Sequence, residues 1–238
     1  MTLAVLACRT LWELATMLHA IAPAGPAEAT RRVEAVARGE GWALHLLDGG
    51  EFGDGAYLAS PYDRCFHCKT HLYAALAGVG GGVMLSGTNT DDLDDYRPGL
   101  GAASDHSVRH PFVEAGVDKR GVRALCRQLG YAEIAELPAA PCLSSRIETG
   151  IRIEAAALTF VHRVERALGE ALRPEVVRCR IRRDAVAVEL DERALQNLLN
   201  GEAQGWRERI AGLARVCGLP DAISFEPYRR GSAFVQDR

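Results

Sequence analysis

The feature that most constrains the fold is a regular alternation between short apolar runs and amphipathic helical segments over residues 1–147. Buried strands are predicted for the apolar runs TLAVL, TMLHAIAP, ALHLLDG and VMLSGT. The segments PAEATRRVEAVARGEGW, CKTHLYAALAGVGGG and DKRGVRALCRQLG have the period of a helix and run into glycine. Solidly apolar strands that alternate with helices are typical of a parallel sheet covered on both faces. The sequence therefore predicts an α/β fold with a doubly wound parallel sheet.

Residues 148–238 follow a different pattern, which predicts a smaller α+β domain. A helix is predicted for EAAALTFVHRVERALGEAL, and a hairpin for the alternating runs VVRCRIRRD and AVAVELD. A long or broken helix and a last strand, AISFEPY, complete this domain. The predicted linker between the two domains is SRIETGIRI.

Charge and hydropathy predict a cytoplasmic protein with neither nucleic acid nor membrane as a partner. The 238 residues carry a net charge of -3, and basic residues gather only locally, in VRCRIRRD and YRRGS. The apolar N-terminal segment is interrupted by Arg9, Glu13 and His19, which is not typical of a signal peptide. No stretch reaches the roughly 20 apolar residues that a membrane span needs.

The seven cysteines of a cytoplasmic chain indicate metal binding or catalysis rather than a disulfide framework. Cys65 and Cys68 form a CxxC pair, and Cys142 follows a double-proline bend in PAAPCLSSR. Three thiolates are one short of a closed tetrahedral zinc site, and they would leave one iron of a [4Fe–4S] cluster open. Zinc with His67 or His71 as the fourth ligand is the main alternative.

An acidic segment, TNTDDLDDYR, follows the predicted strand VMLS and is a candidate site for Mg²⁺, a ribose or a phosphate. In an open parallel sheet, ligands bind beyond the carboxyl ends of the strands. The polar side chains of the segment are Asn89, Asp91, Asp92, Asp94, Asp95 and Arg97. A solvated acidic loop with a helix N-cap is the competing interpretation.

The strand VRCRIRRD is a candidate site for a phosphate. Because side chains alternate along a strand, Arg178, Arg180 and Arg182 are expected on one face and Cys179 on the other. Guanidinium groups bind phosphate through paired hydrogen bonds, although an exposed, solubilising face has the same pattern. The turn YRRGS after the last strand is a second candidate for facing an anion.

Four motifs in order, DRCFHCKTHLY, SGTNTDDLDDYRPGL, EAGVDKRGVRALCRQLG and PAAPCLSSRIETG, resemble the LarE family of PP-loop sulfur transferases. The resemblance implies a PP-loop α/β ATP-pyrophosphatase (adenine nucleotide hydrolase-like) domain followed by a small α+β domain. It implies a role in biosynthesis of the nickel-pincer nucleotide cofactor. There, ATP and Mg²⁺ adenylate a pyridinium biscarboxylic mononucleotide, and sulfur is then inserted. It also implies a ring-like homo-oligomer.

The resemblance assigns roles to residues of this chain. In some members the cysteine of the loop matching APCLSS gives up its own sulfur, whereas others hold a [4Fe–4S] cluster on three cysteines. The presence of Cys65, Cys68 and Cys142 resembles the cluster-bearing kind. The remaining matches are Asp91, Asp92 and Arg97 in the nucleotide region, Ser145 and Arg146 beside the sulfur-delivery loop, and Arg178 and Arg180 at the substrate phosphate.

The chain departs from the family at the SGGxDS loop, whose backbone N–H groups cradle the ATP phosphates. After the predicted strand LAV comes LACRTLWELATML, and Gly25 is the first glycine. We therefore predict a degenerate or missing phosphate loop, which leaves ATP activation open. A variant that does not adenylate, a protein that works beside an intact paralogue, and a mis-set gene start would each explain it.

Two other functions stay open. A scaffold that keeps the fold and a structural metal without catalysis would have the same cysteines. A PP-loop enzyme that thiolates tRNA is disfavoured by the modest net charge and by the lack of an RNA-binding module.

Overall fold

The computed structural model describes residues 1–138 and 141–235 as two compact units. Unit 1 comprises residues 1–22, 27–54 and 63–138, and unit 2 comprises residues 23–26, 55–62 and 141–235. The predicted domain boundary after residue 147 falls inside the last stretch of unit 2.

Helices and strands alternate along much of the chain. The helices are α1 (Thr2–Leu11), α2 (Ala27–Glu40), α3 (Gly55–Leu58), α4 (Arg64–Ala77), α5 (Gly99–Asp105), α6 (Pro111–Glu114), α7 (Lys119–Gln128), α8 (Ala132–Ala135), α9 (Ala155–Leu172), α10 (Glu192–Leu199) and α11 (Ala203–Val216). The strands are β1 (Met17–Ile21), β2 (Leu44–Asp48), β3 (Val177–Ile181), β4 (Val186–Leu190) and β5 (Ile223–Pro227). Short 3-10 turns lie at Trp12–Leu14, Glu51–Gly53, Thr90–Leu93 and Leu143–Arg146.

The run TLAVL is a helix, so the prediction of a first strand there was wrong. Thr2, Val5 and Cys8 are the buried residues of α1, and this spacing of three places them on one helical stripe. The prediction of a degenerate phosphate loop started from that strand and loses its basis. The degenerate phosphate loop is accordingly not confirmed.

Unit 1 contains a parallel strand pair, as predicted for TMLHAIAP and ALHLLDG. Met17 of β1 pairs with Leu44 of β2, and the register continues to Ile21 opposite Asp48. The run VMLSGT, predicted as a further strand, forms only a bridge between Leu85 and Arg109 in the described chain. The α/β character with a parallel sheet is therefore present, whereas the doubly wound sheet is not confirmed.

Helix α4 carries the DRCFHCK motif and packs against α5. Tyr73 of α4 and the buried Ala102 and Ala103 of α5 belong to one apolar cluster, with Phe66 at its edge. The small alanines allow the two helices to approach closely, and this contact fixes the orientation of α4.

Unit 2 is built on a mixed sheet with strand order β3-β4-β5, in which β3–β4 is antiparallel and β4–β5 is parallel. The hairpin, the last strand and the broken helix α10–α11 agree with the sequence prediction. Helix α9 contacts β3. Its buried residues recur at helical spacing and include Leu158, Val161, Val164 and Leu168. They supply much of the core of this unit.

None of the helices within residues 1–138 and 141–235 combines the length and the apolar character that crossing a membrane requires.

Candidate functional site

Cys142 lies on a loop of unit 2 whose backbone is held by several hydrogen bonds. Cys142 is an exposed residue and is the N-cap of the turn Leu143–Arg146. Its backbone carbonyl accepts hydrogen bonds from Ser145 Oγ at 2.7 Å, from the Ser145 N–H at 3.1 Å and from Arg146 Nη1 at 3.1 Å. An accessible sulfur therefore sits on a fixed backbone.

Arg146 fixes this loop from the inside. Its side chain is only 4% exposed, and Nη1 also donates to the Pro141 carbonyl at 2.8 Å and to Ser145 Oγ at 2.9 Å. Nε and Nη2 each donate to one oxygen of Glu165 on α9 at 2.9 Å. Glu165 accepts in addition from the Cys179 backbone N–H at 2.9 Å. The bidentate pair thus ties the cysteine loop to α9 and β3.

Ser144 and Tyr57 give the loop a second anchor within unit 2. Both residues are buried, and their hydroxyl groups share a hydrogen bond of 2.7 Å. The Leu143 N–H donates to the Ala24 carbonyl at 2.8 Å. These contacts explain why Cys142 can be exposed while Leu143 and Ser144 directly after it are buried.

Arg180 forms a buried ion pair rather than an exposed, solubilising surface. Its Nε donates to Glu189 at 3.1 Å, and both side chains are at most 5% exposed. Nη1 donates to the Ser145 carbonyl at 3.0 Å, and Nη2 to the Arg229 carbonyl at 3.3 Å. The hydrogen-bonding groups of Arg180 are therefore engaged by neighbouring chain segments.

Arg178 and Arg182 share the face of Arg180, as the strand alternation predicted. Glu189 of β4 lies opposite Arg178 in the register and contacts both Arg180 and Arg182. Burial lowers the pKa of Arg178 below its usual value, and the neighbouring charge of Arg146 acts in the same direction. Arg178 is thus a partly desolvated cation beside the Arg146–Glu165 pair, and the charge of Glu165 acts on its pKa in the opposite direction.

Cys65 and Cys68 lie on α4, one helical turn apart and half-buried. His67 and His71 lie four residues apart on the same helix, a spacing that sequence reasoning overlooked. His71 Nε2 is 2.9 Å from Asp54 Oδ2, and His67 Nδ1 is 3.9 Å from the same oxygen. Asp54 thus orients the imidazole of His71, and His67 lies near the same carboxylate.

The acidic segment forms a capped turn. Asn89 Oδ1 accepts from the Asp91 N–H at 3.1 Å, and Asp92 Oδ2 accepts from the Asn89 N–H at 3.1 Å, which together make a capping box. Asp92 Oδ1 lies 2.6 Å from Arg97 Nη2, and Asp91 accepts from the Lys119 N–H at 3.2 Å. The competing interpretation, a loop with an N-cap, describes this geometry.

The predicted site residues fall into three groups. Ser145, Arg146, Arg178 and Arg180 come together around Cys142 in unit 2, whereas Cys65 and Cys68 share α4 in unit 1. Asn89, Asp91, Asp92 and Arg97 form their own cluster in unit 1. Across residues 1–138 and 141–235, no group of three or more His, Cys, Asp or Glu side chains is arranged to hold a metal ion.

Sequence reasoning missed Glu165 and Glu189, the two carboxylates that hold the arginines. Glu165 follows Val164 of the buried stripe of α9, and Glu189 stands in a strand that is buried throughout. A charged residue beside or within a buried stretch needs a partner, so the arginine-rich strand next to them was the available signal.

Comparisons with known proteins assign the chain to a family. The uncharacterized protein slr1717 of Synechocystis sp. is 32% identical over 225 residues, which cover 93% of this chain and 82% of that protein. The chain belongs to the slr1717 family. A second relative, the uncharacterized protein MJ0830 of Methanocaldococcus jannaschii, is 25% identical to the chain over 172 residues, which cover 70% of the chain and 64% of that protein. No family model matches the chain.

A third relative of the chain carries a functional name. It is the pyridinium-3,5-bisthiocarboxylic acid mononucleotide synthase of Lactiplantibacillus plantarum, 31% identical over 141 residues. The match covers 58% of the chain and 50% of that enzyme. This partial similarity supports a LarE-like family and, at a coarse level, an enzymatic function.

Proposed function

We propose that the protein is a LarE-like sulfur transferase that inserts sulfur into a carboxylated pyridinium mononucleotide in nickel-pincer cofactor biosynthesis. The observation that carries the proposal is the exposed Cys142 on a backbone held by Ser145 and Arg146. The similarity to a bisthiocarboxylic acid mononucleotide synthase supplies the substrate class. A sulfur that is accessible on a rigid loop suits transfer to a bound small molecule.

Cys65, Cys68 and Cys142 are the residues that would hold a [4Fe–4S] cluster. The chemistry of the donor set suits this group, since all three are cysteines outside any disulfide and two of them are neighbours on one helix. A cluster held by three thiolates supplies an iron with an open position that can carry a sulfide. The chain's own contribution is to fix the Cys142 backbone through Arg146 and to orient His71 through Asp54.

The arginine strand supplies the positive charge for the substrate phosphate. Arg178 is partly desolvated and lies beside the Arg146–Glu165 pair, and an incoming phosphate would supply the hydrogen-bond acceptors that burial takes away from its guanidinium group. The contacts of Arg180 favour a positioning role, because its donors hold Glu189, Ser145 and Arg229 in place. We propose that Arg178 contacts the phosphate and that Arg180 keeps the surrounding segments together.

We propose that the acidic segment binds ATP and Mg²⁺. Asp91, Asp92 and Arg97 are assigned to the nucleotide region by the resemblance, and they are preorganised by the capping box of Asn89. Binding of Mg²⁺ would draw Asp92 away from Arg97, which links metal binding to the position of this arginine.

Iron and acid-labile sulfide analysis of anaerobically prepared protein tests the cluster. We expect both elements in the wild type and their loss in the Cys65→Ser, Cys68→Ser and Cys142→Ser variants. Cys217→Ser is the matched control, because Cys217 is a half-buried cysteine outside any disulfide and lies at the end of α11. A colourless protein with one zinc and no labile sulfide after reconstitution would exclude the cluster.

Titration with Mg-ATP distinguishes three hypotheses: an enzyme that adenylates its substrate, a protein that works beside an intact paralogue, and a scaffold without catalysis. Tight binding with pyrophosphate release would establish adenylation by this chain. Absence of ATP binding together with a full cluster would indicate a protein that works beside an intact paralogue. Absence of ATP binding, of the cluster and of sulfur transfer would support the scaffold interpretation.

A further inference from the structure

Tyr228, the residue directly after β5, lies next to the cysteine loop of unit 2. The Arg180 guanidinium group joins the two segments, since Nη1 donates to the Ser145 carbonyl at 3.0 Å and Nη2 donates to the Arg229 carbonyl at 3.3 Å. Two carbonyls that bind one guanidinium group are close neighbours, because its terminal nitrogens belong to a single planar fork. The backbone at Tyr228 and Arg229 is therefore held beside the loop that carries Cys142.

The position of Tyr228 in the sheet sets the direction of its side chain. Its N–H donates to the Leu190 carbonyl at 2.8 Å, so the ladder between β4 and β5 continues at this residue. The register places Arg178, Glu189 and Glu226 opposite one another on the three strands. Because side chains alternate along a strand, Tyr228 shares the face of Glu226 and therefore of Arg178. The side chains of Tyr228 and Arg178 lie within electrostatic range of each other.

The ring of Tyr228 is accessible although its backbone is fixed. The residue is 37% exposed. Phe225, an aromatic residue on the opposite face of β5, is half-buried instead, and Arg207 of α11 lies 5.3 Å from the centroid of its ring. The structure thus covers the ring on one face of the strand and leaves the ring beside the cysteine loop open to a ligand.

The proposed substrate contains a group that suits such a ring. A pyridinium ring is flat, aromatic and positively charged, whereas the face of a phenol ring is electron-rich. Stacking of the two rings combines a cation–π attraction with the burial of two apolar surfaces. A mononucleotide carries its ring and its phosphate at opposite ends of the ribose, so different side chains of one protein surface can hold them.

We propose that Tyr228 stacks on the pyridinium ring of the substrate and holds that ring beside the cysteine loop. The inference rests on the proposed function, because the pyridinium ring belongs to the substrate class proposed there. It makes Tyr228 the residue that selects a cationic aromatic ring. A sugar phosphate without a base would lack this contact.

Calorimetric titration of the full chain tests the stacking, with nicotinate mononucleotide and ribose 5-phosphate as probes. Both probes carry a ribose phosphate, and only the mononucleotide carries a pyridinium ring. We expect the wild type to prefer the mononucleotide. Tyr228→Leu should bind the mononucleotide about fivefold to thirtyfold more weakly and ribose 5-phosphate as the wild type does.

Two further variants separate the ring from a general effect on the sheet. Tyr228→Phe keeps an aromatic ring and should keep the preference for the mononucleotide. Phe225→Leu is the matched control, since it removes a ring from the opposite face of the same strand and should leave the preference unchanged.

An absorption measurement gives a signature that a structural role of Tyr228 would not produce. An indole stacked on a pyridinium ring has a charge-transfer band that neither ring has alone. Tyr228→Trp should therefore gain such a band when nicotinate mononucleotide is added, and Phe225→Trp should not.

Three results would overturn the inference. They are a wild type without preference for the mononucleotide, an unchanged affinity in Tyr228→Leu, and a loss in this variant that is equal for both probes. The titration requires neither cluster nor ATP. Ring-dependent binding by a protein that does not transfer sulfur would consequently count against the proposed function alone, whereas sulfur transfer with ring-independent binding would count against the stacking alone.

Discussion

At the scale of single residues, Arg146 does more to define the site than its place in the sequence indicated. The resemblance put it beside the sulfur-delivery loop. In the structure it crosses beneath the loop and joins the carbonyls of Pro141 and Cys142 to Glu165. One buried guanidinium group therefore sets where the exposed thiol stands.

Arg146→Lys should loosen the loop while it keeps the charge. A single ammonium group cannot reproduce the fork that binds Glu165 and two carbonyls, so we expect a loss of about 1–3 kcal/mol in the free energy of unfolding. Hydrogen exchange measured by mass spectrometry should speed up over residues 141–146 and stay unchanged over α10. Unchanged exchange in the loop would contradict the role assigned to Arg146.

Glu51 gives a prediction on pH. Burial raises the pKa of this carboxyl group above its usual value, and the nearby charge of Asp48 adds to the effect. The native state then keeps the proton to a higher pH than the unfolded chain. Stabilisation from this group is complete below the unfolded pKa and is lost as pH rises through the folded one.

Glu51→Gln should therefore flatten the decrease in unfolding free energy between about pH 4.3 and neutrality. Urea denaturation at a series of pH values measures this slope. The exposed Glu13→Gln serves as control and should leave the slope as in the wild type. A steeper slope in Glu51→Gln would show that the sign is wrong.

At the scale of elements, the sheet of unit 2 depends on charge pairing as much as on apolar packing. Strand β4 is buried along its whole length, yet it contains Glu189. That carboxylate is compensated by Arg180 on β3 and by Ser232 after β5, so it connects the strands on both sides.

Arg180→Met should destabilise the protein by about 3–5 kcal/mol, because Glu189 would stay buried without its main partner. The double variant Arg180→Met/Glu189→Leu should recover part of this loss. Arg166→Met is the comparison, since its pair with Glu170 is exposed on α9 and is worth about 0.5 kcal/mol or less. Chemical denaturation measures all three, and equal effects of Arg180→Met and Arg166→Met would refute the argument.

The start of α10 depends on Asp191. Burial alone would raise the pKa of its carboxyl group, but hydrogen bonds from the backbone N–H groups of Ala194, Val176 and Glu175 outweigh burial and lower that pKa. The stabilisation is present above the unfolded pKa of Asp and is lost as pH falls through the lower, folded value.

Asp191→Ala should cost about 1–2 kcal/mol at neutral pH, since one cap and two further N–H bonds are lost. The cost should shrink in acid, where the wild type loses the same contribution. Thermal unfolding at pH 7 and near pH 3 checks both parts. Asp184→Ala, at an exposed position of the β3–β4 turn, should have little effect at either pH.

At the scale of the whole molecule, self-association stays a prediction drawn from the family resemblance. Light scattering should give a mass that is a multiple of 25.7 kDa. The expectation follows from the ring-like assemblies of the LarE family. A mass of one chain over a wide range of concentrations would contradict it.

Local signals in the sequence were enough for much of the architecture. The hairpin, the parallel pair β1–β2, helices α2, α7 and α9, and the common face of Arg178, Arg180 and Arg182 follow from period and turn residues. These features depend on neighbours within a few positions along the chain. The strand predicted at TLAVL failed because a five-residue apolar run fits a strand and a buried helix equally well.

The sequence by itself determined the periodicity of the elements, the CxxC spacing, the rigid loop around Cys142 and the resemblance to a sulfur-transferase family. Only the tertiary structure decided that Arg146 and Arg180 are held by Glu165 and Glu189, and that the turn after β5 is tied to the same Arg180–Glu189 pair. The physical reason is that the period of an element fixes the face on which a charged residue lies but not the residue with which it pairs. Whether it faces solvent, a ligand or a buried partner depends on a residue far along the chain, which folding alone brings into contact.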